Sequence, residues 1–96
     1  MRFLWDERKN RENARKHGIS FEEAEDLFTS GGEYLEIFDA SHSETEDRFI
    51  AIGPISRGLV LVVWTAVDEE TIRVISARRA TRRERAWYET TTERFR

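Results

Sequence analysis

Hydrophobic and polar positions run on two different periods along this chain. Phe3-Leu4-Trp5 is a short apolar run, and Asp6 after it is a good N-cap for the charged stretch that ends in His17-Gly18. The pattern predicts a strand, then a helix closed by a glycine. That helix is unusual. Between Asp6 and His17 its only small apolar residue is Ala14, so it has no apolar stripe to bury and should cover an edge or present a surface. Ser20 and Glu23 form a capping box for a second helix, in which Phe21, Ala24, Leu27 and Phe28 share one face, ending near Gly31-Gly32.

From Tyr34 the period changes to two. Tyr34 to Phe38, Arg48 to Ile55, Leu59 to Val67 and Thr71 to Arg79 read as strands. Leu59-Val60-Leu61-Val62-Val63-Trp64 is apolar on both faces and belongs in the sheet centre. Short links at Ser56-Arg57-Gly58 and Asp68-Glu69-Glu70 suit hairpins between antiparallel neighbours, and Asp39 to Asp47 is an acidic loop. Thr81 and Glu84 form a second capping box, opening a last helix with Tyr88, Thr92 and Phe95 on a partly apolar face. The expectation is an α+β fold: an antiparallel four- to five-stranded sheet with two N-terminal helices and one C-terminal helix.

Length and composition narrow this further. The 96 residues suit one domain spanning residues 1–96. Without Cys there is no disulfide, thiolate or zinc-ribbon chemistry, which fits a reducing compartment. No stretch has the apolar length of a signal peptide or a membrane span, so the expected location is the cytoplasm, with no membrane partner.

A net charge of −3 argues against a nucleic-acid partner until it is resolved along the chain. Residues 1–32 carry six basic and seven acidic side chains, residues 33–70 two and nine, and residues 71–96 eight and three. All the basic residues except Lys9 and Lys16 are Arg, whose planar fork matches phosphate oxygens. Four of them, Arg78, Arg79, Arg82 and Arg83, sit where a strand runs into a helix N-terminus, a place that already favours anions. Arg78 and Arg79 should point to opposite faces. The competing reading pairs these Arg with the carboxylates of residues 33–70.

His17, at a helix C-terminus, is a second candidate for chemistry, or simply a favourable helix end. His42 in the acidic loop reads as a solvated residue or local turn partner. Two His with no suitable carboxylate spacing make no metal motif, and no cofactor is implied. Trp5 and Trp64 read as core. Trp87 and Tyr88 lie beside the Arg cluster, where an exposed ring can stack an unpaired base.

The segments together resemble the BrnT family, toxins of type II toxin-antitoxin systems with a RelE-like ribonuclease fold. The resemblance is carried by Phe3, Trp5-Asp6, Lys9, Asn13, Lys16-His17-Gly18, Ser20 to Ala24, His42-Ser43, Glu46, Arg48, Gly53 and Leu61 to Thr65. It continues through Arg73 to Thr81, Glu84 and Tyr88-Glu89, with Arg79 where Lys is common. It implies a metal-independent endoribonuclease neutralised by a BrnA-like antitoxin, with DNA contacted only through the antitoxin complex.

RNA cleavage needs a deprotonated 2′-hydroxyl, charge stabilisation at the phosphorane and a protonated leaving oxygen. His17, Arg78, Arg79 and Tyr88 are the expected catalytic residues. Lys9, Lys16, Arg82, Arg83 and Trp87 are expected to bind RNA, and Glu84 is either a cap or a base. The alternatives are a non-catalytic module docking an acidic partner through the Arg-rich C-terminal face, and a DNA-binding regulator, which the acidic middle segment disfavours.

Overall fold

The chain folds in the order β1 (Arg2–Leu4), α1 (Glu7–His17), α2 (Phe21–Thr29), β2 (Leu35–Phe38), β3 (Arg48–Ile55), β4 (Gly58–Asp68), β5 (Thr71–Arg79) and α3 (Arg82–Arg94), with a 3-10 turn at Ala40–His42. The computed structural model describes residues 1–42 and 44–94; Ser43 and Phe95, both singled out by the sequence pattern, lie outside the described residues. The helix boundaries follow local chemistry. The Asp6 carboxylate accepts from the amides of Arg8 and Lys9, and Gly18 closes α1 at φ +73°, in the left-handed region that other residues rarely adopt. Ser20 and Glu23 form a complete capping box at α2.

The five strands make one sheet in the order β1-β5-β4-β3-β2. The α+β fold, its helices and the β2 to β5 meander are as the sequence pattern predicts, with one difference. The sheet is mixed, because β1 pairs parallel with β5, Phe3 opposite Ile72 and Leu4 opposite Arg73. The direction has a structural consequence. A parallel β1 covers only the first three residues of the β5 edge and then delivers α1 onto the rest of that edge, whereas an antiparallel β1 would send α1 the other way.

The core lies between α2 and one sheet face. Phe21 and Leu27 of α2 pack with Val60, Val62, Trp64 and Val74, all buried. Burying a side chain such as Phe21, which is fully enclosed, contributes roughly 1.5–3 kcal/mol. Phe49 stacks on Trp64 and Phe28 meets it edge-on. Gly53 lets the turn into β2 approach β3, since a Cβ there would lie 2.6 Å from that of Tyr34. The opposite face carries Ile52, Leu61 and Arg78 in one cross-strand row, and α3 lies on that side through Glu84.

Candidate functional site

The first helix buries polar groups where a helix ordinarily buries leucines. Its inner stripe is Asn10, Asn13, Ala14 and His17, of which Asn10 and Asn13 are 4% and 8% exposed. Buried carboxamides must find partners, and both do. Asn10 accepts from the Phe21 amide at 2.8 Å and donates to Glu22 and Glu7. Asn13 accepts from the Ala77 amide at 3.1 Å and donates to the Ala77 and Ile19 carbonyls at 2.7 and 2.8 Å. Asn13 thus pairs with both backbone groups of one β5 residue, as a neighbouring strand would. The polar helix covers an edge, as its lack of an apolar stripe predicts.

Between α1 and that edge lies an open cavity of about 220 Å³, lined by Lys9, Glu12, Asn13, Lys16 and His17 from the helix and Ile75 and Ser76 from the strand. Lys9, Glu12 and Lys16 fall at i, i+3 and i+7, one side of the helix. The strand contribution depends on a bulge: Val63 is opposite Ser76 and Trp64 opposite Val74, so Ile75 has no partner on β4. An extra residue of this kind re-aims neighbouring side chains, and bulges recur beside active sites. The result brings two ammonium groups, an imidazole, a carboxylate and a hydroxyl to one cleft. Such a set can hold a phosphodiester and move protons around it.

The Arg-rich corner is organised differently. Arg78 makes a two-pronged ion pair with Glu84, at 2.8 and 2.9 Å, and Glu84 also accepts from the Thr81 amide. These bonds hold the Glu84 carboxyl down at a pKa of about 2, with the Arg78 guanidinium the main cause. A carboxylate that acidic is a poor proton acceptor near neutral pH, so Glu84 acts as a cap and an anchor. Arg79 projects to the other face and donates to the Arg57 carbonyl. Arg57 in turn donates to the Gly18 carbonyl and to Glu23, which ties the β3–β4 hairpin to the end of α1.

Of the residues expected from sequence, the structure brings Lys9, Lys16 and His17 together in one cavity. Arg78 lies two residues from Ser76 on the same strand face, about 7 Å along the strand. Tyr88 donates to the Glu33 carbonyl at 2.7 Å, fastening α3 over the start of β2. Arg82, Arg83 and Trp87 are exposed on α3, with Trp87 at 48%. His42 bonds locally to Asp39 and Ser41 in the 3-10 turn. Among carboxylates of residues 33–70, Glu46 is paired by Arg73 at 2.6 Å and by Arg48, while Arg78 is engaged instead by Glu84. Sequence reasoning gave Glu12, Asn13, Arg57, Ile75 and Ser76 no part in the site, although Asn13, Ile75 and Ser76 are among the residues that carry the family resemblance and Arg57 falls in a predicted hairpin link. The available signal was the neutral pair Asn10 and Asn13, three apart, in a helix whose other residues, apart from Ala14 and His17, are all charged.

Fold and site together define the class: a small α+β protein presenting a cationic cleft, with proton-transferring groups, at a sheet edge. The family model for the BrnT ribonuclease toxin of type II toxin-antitoxin systems matches residues 5–84, and the chain belongs to that family. The structure is similar to the crystal structure of the Brucella abortus ribonuclease toxin BrnT, with 27% sequence identity and a TM-score of 0.62, covering 85% of this chain and 99% of that one. Comparison with curated proteins finds no match.

Proposed function

We propose that this protein is a metal-independent endoribonuclease that cleaves RNA in the α1–β5 cleft and is neutralised by a BrnA-like antitoxin. The observation that carries the reading is the convergence of Lys9, Lys16 and His17, with Glu12, on one cavity. RNA supplies its own nucleophile. The 2′-oxygen attacks the adjacent phosphorus as its proton leaves, the phosphorane forms, and the bond to the 5′-oxygen breaks as that oxygen gains a proton. A 2′,3′-cyclic phosphate and a 5′-hydroxyl result.

In the proposed arrangement the Lys9 and Lys16 ammonium groups carry the charge of the phosphorane, a role that a cation positioned in advance fulfils without reorganisation. His17 takes or gives the proton, since each imidazole nitrogen can either carry a proton or accept one. Glu12 is the second group in the cleft able to do so. Arg78, beside Ser76, meets the next phosphate, whereas Arg79, on the other sheet face, and Tyr88, held over the start of β2, lie outside the cleft and act through the fold that shapes it. Arg82, Arg83 and Trp87 extend the RNA path over α3. The whole chain acts as one cytoplasmic domain, and DNA is met only through the antitoxin complex.

Among the described residues no helix is long and apolar enough to cross a membrane. The exposure of Arg82, Arg83 and Trp87 on one helix favours a second reading, a non-catalytic module that docks an acidic partner. Purified protein incubated with single-stranded RNA in EDTA separates the two. The proposal expects cyclic-phosphate products that disappear in Lys16→Ala/His17→Ala; intact RNA would reject it in favour of docking.

A further inference from the structure

We propose that Asn13 is the positioning residue of this cleft, its carboxamide setting the distance and orientation of the Lys9, Lys16 and His17 stripe relative to the Ile75-Ser76 bulge. The inference rests on the α1–β5 cleft being the site of RNA cleavage. Asn13 is 8% exposed and uses its acceptor and both directions of its donor: the Ala77 amide, the Ala77 carbonyl and the Ile19 carbonyl. It therefore grips three elements together, namely its own helix, the β5 edge and the link that follows His17-Gly18.

Neither strand pairing nor apolar packing sets this spacing. β1 stops at Leu4, opposite Arg73, and leaves the β5 edge unpaired by strand from there on. The helix facing that bare edge offers no large apolar side chain to pack against it. A primary carboxamide is the side chain that supplies a donor and an acceptor side by side, which is what pairing with both groups of one peptide residue demands. On the helix, Lys9 is four residues before Asn13, Lys16 three after and His17 four after, so all three lie on adjacent rows and move with it. A helix displaced by a fraction of a turn would keep its cations but lose their aim at the strand.

The same helix contains a matched control. Asn10, 4% exposed, is as deeply buried and makes as many hydrogen bonds, but it grips α2 through the Phe21 amide and Glu22 and has no bond to β5. A purely structural role predicts that Asn10→Ala and Asn13→Ala behave alike. A positioning role predicts that they separate.

The test compares both variants of the full chain with wild type in steady-state cleavage of single-stranded RNA, at a temperature where circular dichroism shows each to be folded. Asn13→Ala is expected to lose ~10- to 100-fold in kcat with KM changed less than ~3-fold, as a displacement near 1 Å in a reacting geometry does, while Asn10→Ala stays within ~3-fold of wild type. Equal loss in the two variants, or loss through KM alone, would overturn the proposal. Asn13→Asp serves if the alanine variant does not fold. Its carboxylate can still accept from Ala77 but opposes two carbonyls, and protonation restores one donor. Its kcat relative to wild type should therefore rise as pH falls, and a flat ratio counts against positioning. Lys16→Ala/His17→Ala distinguishes this from failure of the ribonuclease reading. If that variant is inactive while Asn13→Ala matches wild type, only the positioning role is wrong; if it cleaves normally, the site itself is.

Discussion

α1 has no apolar face and α3 only a partial one, and both are tied to β5 by polar side chains, though by opposite means. α1 is attached by neutral carboxamides: Asn13 bonds to the Ala77 backbone, and Asn10 to the start of α2. Its charged side chains are not consumed by the attachment, and Lys9, Lys16 and His17 line an open cavity. α3 is attached by charge. Glu84 engages the Arg78 guanidinium at both oxygens, and the Tyr88 hydroxyl reaches the Glu33 carbonyl. A neutral anchor leaves cations available for a ligand, while an ionic anchor uses one of them for structure. Arginine density along the sequence is therefore a poor guide to where cations stay available, and the helix with fewer arginines is the one whose cations line a cleft beside the strand.

The comparison is most exposed to a kinetic test. His17→Ala should lower RNA cleavage roughly 100- to 10,000-fold if His17 is the proton-transfer group, the range general acid–base catalysis supplies. Growth arrest on expression should be lost with it. A His17→Ala protein that cleaves as wild type would move the chemistry out of the α1 cleft and toward the α3 corner.

The α3 corner should answer in stability before it answers in rate. Glu84→Ala removes a helix cap, worth ~1 kcal/mol, and a charge-assisted pair worth somewhat more when enclosed. Arg78 is about a third exposed, so solvent screens part of the second contribution. The expected loss is ~1–2 kcal/mol, read as a melting temperature lower by ~4–8 °C per kcal/mol for a domain of this size. A loss no larger than that of an arbitrary surface substitution would mean that the ion pair does not seat the helix.

What could be read from the sequence divides along the same line as the two anchors. Capping boxes at Ser20 and Thr81, the α2 apolar face and the strands from Leu35 to Arg79 follow from residues a few positions apart, and they stand where local rules place them. The anchor of α1 does not. Asn13 and Ala77 are 64 residues apart, and their pairing depends on β1 running parallel to β5, a property of the assembled sheet. Lys9, Lys16 and His17 could be named as candidates because of their chemistry, but their convergence with Ser76 depends on the Ile75 bulge, which no local pattern marks. Glu84 was visible as a capping residue. That the same carboxylate also holds Arg78 follows only once β5 places that side chain on the α3 side.

A smaller effect follows from the acidity of Glu84. Its folded pKa, about 2, lies below the ordinary 4.5, so the stability it contributes is present in full above about pH 4.5 and is lost as pH falls toward 2. Wild type and Glu84→Gln should therefore differ most in melting temperature near neutral pH and converge on acidification through that window. The Asn13 anchor involves only neutral groups and has no such dependence, so the gap between wild type and Asn13→Ala should stay nearly constant over the same range. A gap that closes for both variants would show that acid acts on the fold as a whole.

The smallest expected effect concerns the arginines that neither anchor uses. Arg82 and Arg83 are exposed at the start of α3, beyond Arg78, so RNA lying along the cleft and past Arg78 would meet them through its phosphates alone. Contacts of that kind are screened by salt and carry no catalytic geometry. Arg82→Ala and Arg83→Ala should each weaken binding of an uncleavable single-stranded RNA a few-fold at low salt and reduce the slope of log affinity against log salt by about 0.7, leaving kcat unchanged. Fluorescence anisotropy over a salt series measures this directly. If either substitution instead lowered kcat as far as His17→Ala does, the reacting phosphate would lie over α3, and the neutral anchor of α1 would have left its cations free for some other ligand.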